Sequence, residues 1–226
     1  MQYTIRKYRA CDRNPVRKIC ADTALLGEPV EKCFDDRDIA ADILISYYTD
    51  CEPESVFVAE ADGEIAGYLA GCLEPRRRRK VVFFVILPSV LKKIAVRFTL
   101  LRKKTLLAGF NFLKSFLKGE FFHPDFHREF PASLHINVDA RFRGGGIGTE
   151  LLEICLDYLK KKNIKGVHLR TRSSGAFGFF AGAGFSLLYS RRITHLEYLG
   201  CRDLKLSILG KNLEEEKKFS NNLHKI

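Results

Sequence analysis

The sequence predicts a mixed α/β fold, with a central sheet of about seven strands, flanking helices and a basic helical insertion at about 76–130. Three observations lead there. Residues 133–209 switch regularly between strand and helix periodicity, 55–73 read as a hairpin, and the stretch between them mixes apolar with basic residues and holds no acid from 76 to 118. At 226 residues the chain exceeds one ordinary domain and falls short of two, so 1–226 is read as a single domain carrying an insertion.

Residues 2–8 alternate and predict a first strand, and helical stretches near 13–26 and 36–49 follow, parted by Gly27-Glu28-Pro29. Segments 55–61 and 64–73 form the hairpin around Asp62-Gly63, a pair that tolerates the positive φ values of a tight turn. On a helical wheel, 88–104 gathers Val90, Leu91, Ile94, Ala95, Phe98 and Leu101 into one apolar arc, with Lys92, Lys93, Arg97, Lys103 and Lys104 outside it. A second helical piece is expected at 110–117. An aromatic, histidine-bearing loop is expected at 121–130, where Pro124 and Pro131 forbid a continuous helix. The most apolar run, 81–87, is short and is expected to be a buried strand or helix start. Strand 133–139, helix 146–162, strand 165–171, helix 174–182 and strands 184–195 and 203–209 complete the fold. The polar tail 212–226 is expected to fray.

The net charge of +11 is localised: thirteen basic residues lie in 76–118, leaving −2 for the rest of the chain. This insertion suits a structural cap, or a surface for an acidic acceptor or an anionic membrane lipid. Nucleic acid is the weakest of its readings, because no aromatic platform or recognised motif accompanies the charge. Seven scattered cysteines without a CxxC pair or a His/Cys cluster read as reduced thiols, and no metal is expected. The charged, alternating amino terminus lacks a secretory apolar run, which points to the cytoplasm.

Chemistry concentrates at Arg143-Gly144-Gly145-Gly146-Ile147-Gly148-Thr149. An apolar strand runs into glycines, and a helix with an apolar face of Leu151, Leu152, Cys155 and Leu159 starts at once. Backbone N–H groups and the positive end of a helix dipole then converge on one spot, which suits a pyrophosphate. The dinucleotide spacing GxGxxG fails at its last glycine. Arg143, Gly146 and Gly148 instead spell Arg-x-x-Gly-x-Gly after a strand ending in Val138, which resembles the coenzyme A loop of the GNAT acetyltransferase superfamily. The resemblance extends to 167–171 as the strand after the loop, and to the helix from Ser173 to Gly184-Phe185. Upstream, 47–55 and Gly67-Tyr68-Leu69 are similar to a bacterial subgroup that includes relatives of the acetyltransferase-like domain beside O-GlcNAcase.

The resemblance implies acetyl transfer from acetyl-CoA to a primary amine of a small molecule, peptide or protein, by direct attack. It implies pantetheine bonded by backbone around Ile136 and Val138, phosphates held by Arg143 and 144–149, and Ser173 and Phe180 on the cofactor side. Many members carry Asn and Tyr at those last two positions, and the tyrosine protonates the leaving thiolate. Phenylalanine cannot, although a coenzyme A thiolate leaves tolerably unprotonated. The alternatives are a non-catalytic module that only binds coenzyme A, and a peripheral protein that binds a membrane or other anionic surface on the same fold. Strand alternation places His135 and Asn137 on one face and Leu134, Ile136 and Val138 on the other, unless a bulge exchanges them. His135 is then either the base for the amine proton or a half-buried histidine bonded to a nearby carbonyl. Tyr48, with Asp50 and Glu52, forms a polar group where the family builds its acceptor pocket, or else closes a loop. Arg170, Arg172 and Lys160 to Lys162 are candidates for the cofactor's phosphates or plain solvated charges.

Overall fold

The computed structural model describes residues 2–214, so the tail expected to fray lies, from 215 onward, outside the described residues. Seven strands form one sheet in the order β1-β2-β3-β4-β5-β7-β6: β1 (Tyr3–Lys7), β2 (Val56–Ala61), β3 (Glu64–Cys72), β4 (Ala132–Val138), β5 (Gly166–Thr171), β6 (Ser186–Arg192) and β7 (Lys205–Asn212). The β4–β5 pair is parallel and every other pair antiparallel. The β2–β3 hairpin turns on Asp62 at φ 51° and Gly63 at φ 78°, the two left-handed residues its twist requires.

Each face of the sheet buries a separate core. On one side, α6 (Ile147–Lys161) and α7 (Ser174–Gly182) pack Leu151, Leu152, Leu159 and Phe180 against Leu69, Leu134 and Leu169. On the other, α1 (Arg13–Thr23) and α2 (Arg37–Cys51) pack Val16, Ile39 and Ile45 against Val56, Val58 and Tyr68. The pairing of β3 with β4 runs without a register shift from Gly67↔Val138 to Cys72↔Ser133. The strand faces therefore stand as alternation predicts: Leu134, Ile136 and Val138 belong to the α6 side, and His135 and Asn137 point toward Tyr68 on the other.

The insertion departs from expectation in three ways. Its helices begin earlier, at α3 (Pro75–Val81), and continue through a π-helical turn (Val82–Ile86) into α4 (Leu87–Val96). The helix expected to reach 104 ends at Val96, just before Phe98 takes a left-handed φ of 50°, and a longer α5 (Lys103–Leu117) follows the corner. The corner forms because side chains far away hold both of its arms. Arg97 pairs with Asp36 (2.9 Å) and Asp38 (3.3 Å), while Arg102 and Thr105 bond to Asp35.

The second departure is the apolar arc. Val82, Ile86, Val90 and Ile94 pack against the α2 core at a spacing of four, but Leu91, Phe98 and Leu101 face solvent. The third is the run 81–87, which is not a buried segment: Phe83, Phe84 and Val85 are all more than 60% exposed.

Candidate active site

β4 and β5 touch only at their starts, through Ala132↔Val167 and Ser133↔His168. β5 then stays paired with β7 along its whole length and β4 with β3, so the gap that opens belongs to these two strands alone. From Leu134 onward the β5-facing edge of β4 offers backbone N–H and C=O groups without a strand partner, a template for an extended chain of amides.

The end of β4 leads into the glycine loop. Gly144 (φ 81°) and Gly146 (φ 84°) occupy left-handed backbone, and Gly146 caps α6 with no side chain bonded to the first-turn N–H groups. Ile147, Gly148 and Thr149 thus present uncapped donors at the positive end of a 15-residue helix. The Ile147 side chain turns into the core, and Gly148 lies 3.7 Å from the Phe179 ring, measured from where a Cβ would stand. Gly145 is exposed beside them. The Arg143 guanidinium donates to the Val138 carbonyl (3.1 Å) and the Gly27 carbonyl (3.1 Å), tying the loop to the turn after α1. Tyr3 stands over this loop, its hydroxyl 3.5 Å from the Cβ position of Gly146 and close enough to Glu150 for that carboxylate to raise its pKa, a contribution that the sequence did not disclose.

Ser173 caps α7 by accepting from the Ala176 amide (3.4 Å). Phe180 is buried, edge-on to Phe179 and Phe185, and brings no hydroxyl.

On the opposite face, His135 Nε2 lies 3.1 Å from the Tyr68 hydroxyl and 3.1 Å from the Asn137 amide, which also donates to Tyr68 at 2.8 Å. Nε2 is then the acceptor nitrogen of a neutral ring. Burial, reinforced by the Arg78 charge, lowers its pKa to about 4. The nearby group bonded to His135 is a tyrosine, not a carbonyl. Tyr68 was missed because its part depends on the register Tyr68↔Asn137, which no local signal reveals.

Tyr48 stacks on His135 at 6.2 Å, but its neighbours in sequence do not join it. Asp50 pairs with Arg13 (2.8 Å), and Glu52 receives the Leu73 amide (2.7 Å), so both hold structure.

Two arginines approach this group, and a third follows along β5. Arg78 lies over the Tyr48 ring at 5.3 Å. Arg170 follows His168 on the same face of β5 and donates to His123 Nε2 (3.3 Å), and Arg172 donates to His195 Nε2 (3.0 Å). None of the three meets a carboxylate among the described residues. Desolvation, and for Arg170 also the neighbouring guanidinium charges, pushes the half-buried Arg172 and the more accessible Arg170 below the ordinary arginine value. Lys160 pairs with Asp157 (3.9 Å) on the far side of α6.

Residues 119–185 match the Acetyltransferase (GNAT) family. No curated protein matches the sequence. Among solved structures the chain is similar to SsHAT, at 22% identity over 94% of this chain and 99% of that one, with a TM-score of 0.67. It is also similar to the polyamine N-acetyltransferase of Drosophila melanogaster, an enzyme that forms N-acetylagmatine (13% identity, 93% and 100% covered, TM-score 0.60). A third similar structure is the putative acetyltransferase yncA of Salmonella typhimurium, with its cofactor acetyl-CoA (15%, 93% and 94%, TM-score 0.55). The seven-stranded mixed sheet with its flanking helices is the GNAT fold.

Proposed function

We propose that the protein is an N-acetyltransferase of the GNAT superfamily that moves acetyl from acetyl-CoA to an amine, with 1–226 acting as one domain. The observation that carries this reading is the gap between β4 and β5, which runs toward the uncapped first turn of α6. A pantetheine amide chain fits the free edge of β4 at Ile136 and Val138, and a pyrophosphate fits the N–H groups of the loop 144–149. The similarity of 47–69 to the subgroup beside O-GlcNAcase belongs to this reading. Acetyl-CoA supplies an activated acyl carbon that the amine attacks directly.

The protein's own part is to position and to accept a proton. Free N–H groups on the β4 edge hold the acetyl oxygen where negative charge develops. His135, neutral at physiological pH, takes up a proton at Nε2 from the Tyr68 hydroxyl, which is replenished through water by the amine proton, and Asn137 and Tyr48 fix the ring.

The acceptor, in this reading, carries an anionic group beside its amine. Arg78 and Arg170 lie near Tyr48 on the face that holds His135, Arg172 follows along β5, and no carboxylate among the described residues pairs with them. Such guanidiniums suit a carboxylate or phosphate and repel a polycation. An anion docked at Arg78 also removes the second cause of the lowered His135 pKa, so the imidazole gains basicity when the acceptor arrives.

The test has two steps. Thermal unfolding with and without acetyl-CoA should show stabilisation that is lost in Gly146→Glu; no stabilisation of the folded wild-type protein would sink the cofactor reading. Thiol release should then favour amines bearing a carboxylate or phosphate over their esters and over agmatine by about tenfold or more, with the preference shrinking in Arg170→Gln. Equal or better turnover of agmatine would overturn the acceptor class while leaving the acetyltransferase reading in place.

A further inference from the structure

Among the described residues, seventeen of the nineteen exposed large hydrophobic side chains lie between Phe83 and Phe122. α5 is built inside out. The positions it turns inward are polar: Thr105 bonds Asp35 through both its amide and its hydroxyl (3.3 Å each), and Ser115 bonds Glu120. Glu120 in turn receives the Thr194 amide (2.7 Å), and Arg191 holds the Gly119 carbonyl (2.7 Å). Outward, Leu106, Phe110, Leu113 and Leu117 follow one stripe at spacings of four and three, between 54% and 78% exposed. Rotating the helix to hide that stripe would break the anchors at both ends. At the corner before it, Phe98, Leu100 and Leu101 are also exposed. Apolar exposure on this scale marks an interaction site.

We propose that α5 and the corner leading into it form a docking surface for a bilayer rich in anionic lipid, with the helix lying in the headgroup plane. Charge selects this occupant. Lys103 and Lys114 flank the stripe, Lys104 and Lys118 turn back to the Glu31 carbonyl (2.9 Å) and to Thr194 (3.2 Å), and no acidic residue occurs from 76 to 118. A second copy would set basic residues against basic residues, and a nucleic acid would leave the leucines and phenylalanines without an apolar partner. A membrane interface accepts both: side chains such as Phe110 and Leu113 enter the acyl boundary while the lysines reach up to phosphate. No helix among the described residues is long and apolar enough to cross a membrane, so the helix lies on the surface and does not span it. The surface is independent of the acetyltransferase reading.

Flotation of the full chain with mixed phosphatidylglycerol–phosphatidylcholine vesicles tests it, with pure phosphatidylcholine vesicles as reference. The protein is expected to float with the anionic vesicles and to be released by salt. The double variants Leu113→Asp/Leu117→Asp and Lys103→Glu/Lys114→Glu should each lose at least about tenfold in affinity, since one basic residue at a membrane surface is worth roughly a factor of five. All four positions are solvent-exposed, and unchanged thermal midpoints would show that the variants remain folded. Absence of flotation, or flotation unchanged in both variants, overturns the proposal. So does a dimer that the leucine pair disperses while vesicles bind neither form.

Discussion

His135 is held between the Tyr68 hydroxyl and the Asn137 amide, two groups that point at one ring nitrogen, and its pKa of about 4 follows from burial more than from Arg78. The resting imidazole therefore does not titrate between pH 5 and 8. In the proposed reaction, kcat/KM should rise with pH toward the ionisation of the acceptor amine and show no inflection near 6.5. His135→Ala should lower kcat/KM on the order of 10²-fold and leave the shape of that profile unchanged. A wild-type inflection near 6.5 that disappears in His135→Ala would mean that the ring ionises at its ordinary value, contrary to the burial argument. A rate unaffected by the substitution would remove His135 from the chemistry. Phe180 bears on the other end of the reaction: a buried phenyl ring supplies no proton to the leaving thiolate, so turnover depends on the thiolate leaving as such.

At the scale of elements, what could be read in advance was what adjacent residues decide. The β2–β3 hairpin follows from Asp62-Gly63, α7 from its Ser173 cap and closing Gly184-Phe185, and the glycine loop from small residues between a strand and an amphipathic helix. The insertion was legible in charge and not in geometry. Its corner at Phe98 has no proline or glycine to announce it, because the turn is enforced by Asp35, Asp36 and Asp38 some sixty residues earlier. Apolar residues ordinarily turn toward the core, and α5 breaks that rule because Thr105 and Ser115 carry the anchoring bonds. The site divided in the same way. The loop was visible in the order of residues, whereas Tyr68 and the approach of the arginines required knowledge of which strands pair and where β4 and β5 part.

For the whole molecule, buried histidines tie stability to pH in a defined window. His135, His168 and His195 all have pKa values lowered from 6.5 to about 4, each chiefly by burial. His168 donates from Nδ1 to the Phe130 carbonyl (2.8 Å), fastening the loop before β4 to β5, and His195 accepts from Arg172. Between pH 6.5 and 4 the unfolded chain binds protons that the folded chain refuses, so acid favours unfolding. The stability these rings contribute is complete above about pH 6.5 and is lost as the pH falls through 4. His127 is lowered in the same direction, also chiefly by burial, and Glu52 works in the opposite one, since burial raises its carboxyl. The lowered carboxyls of Asp12, Asp36 and Asp50 act below their ordinary value of 3.8 and leave this window alone. Each histidine contributes at most about 1.4 kcal/mol per pH unit, and 1 kcal/mol shifts the midpoint of a chain this size by about 2–4 °C. The thermal midpoint is accordingly expected to fall by several degrees between pH 7 and pH 5. His168→Gln, which keeps a donor for Phe130 and loses the titration, should flatten that slope by roughly a third. A midpoint that stays level from pH 7 to 4.5 would show that these rings take up protons in the folded state as readily as in the unfolded chain, contrary to the burial argument.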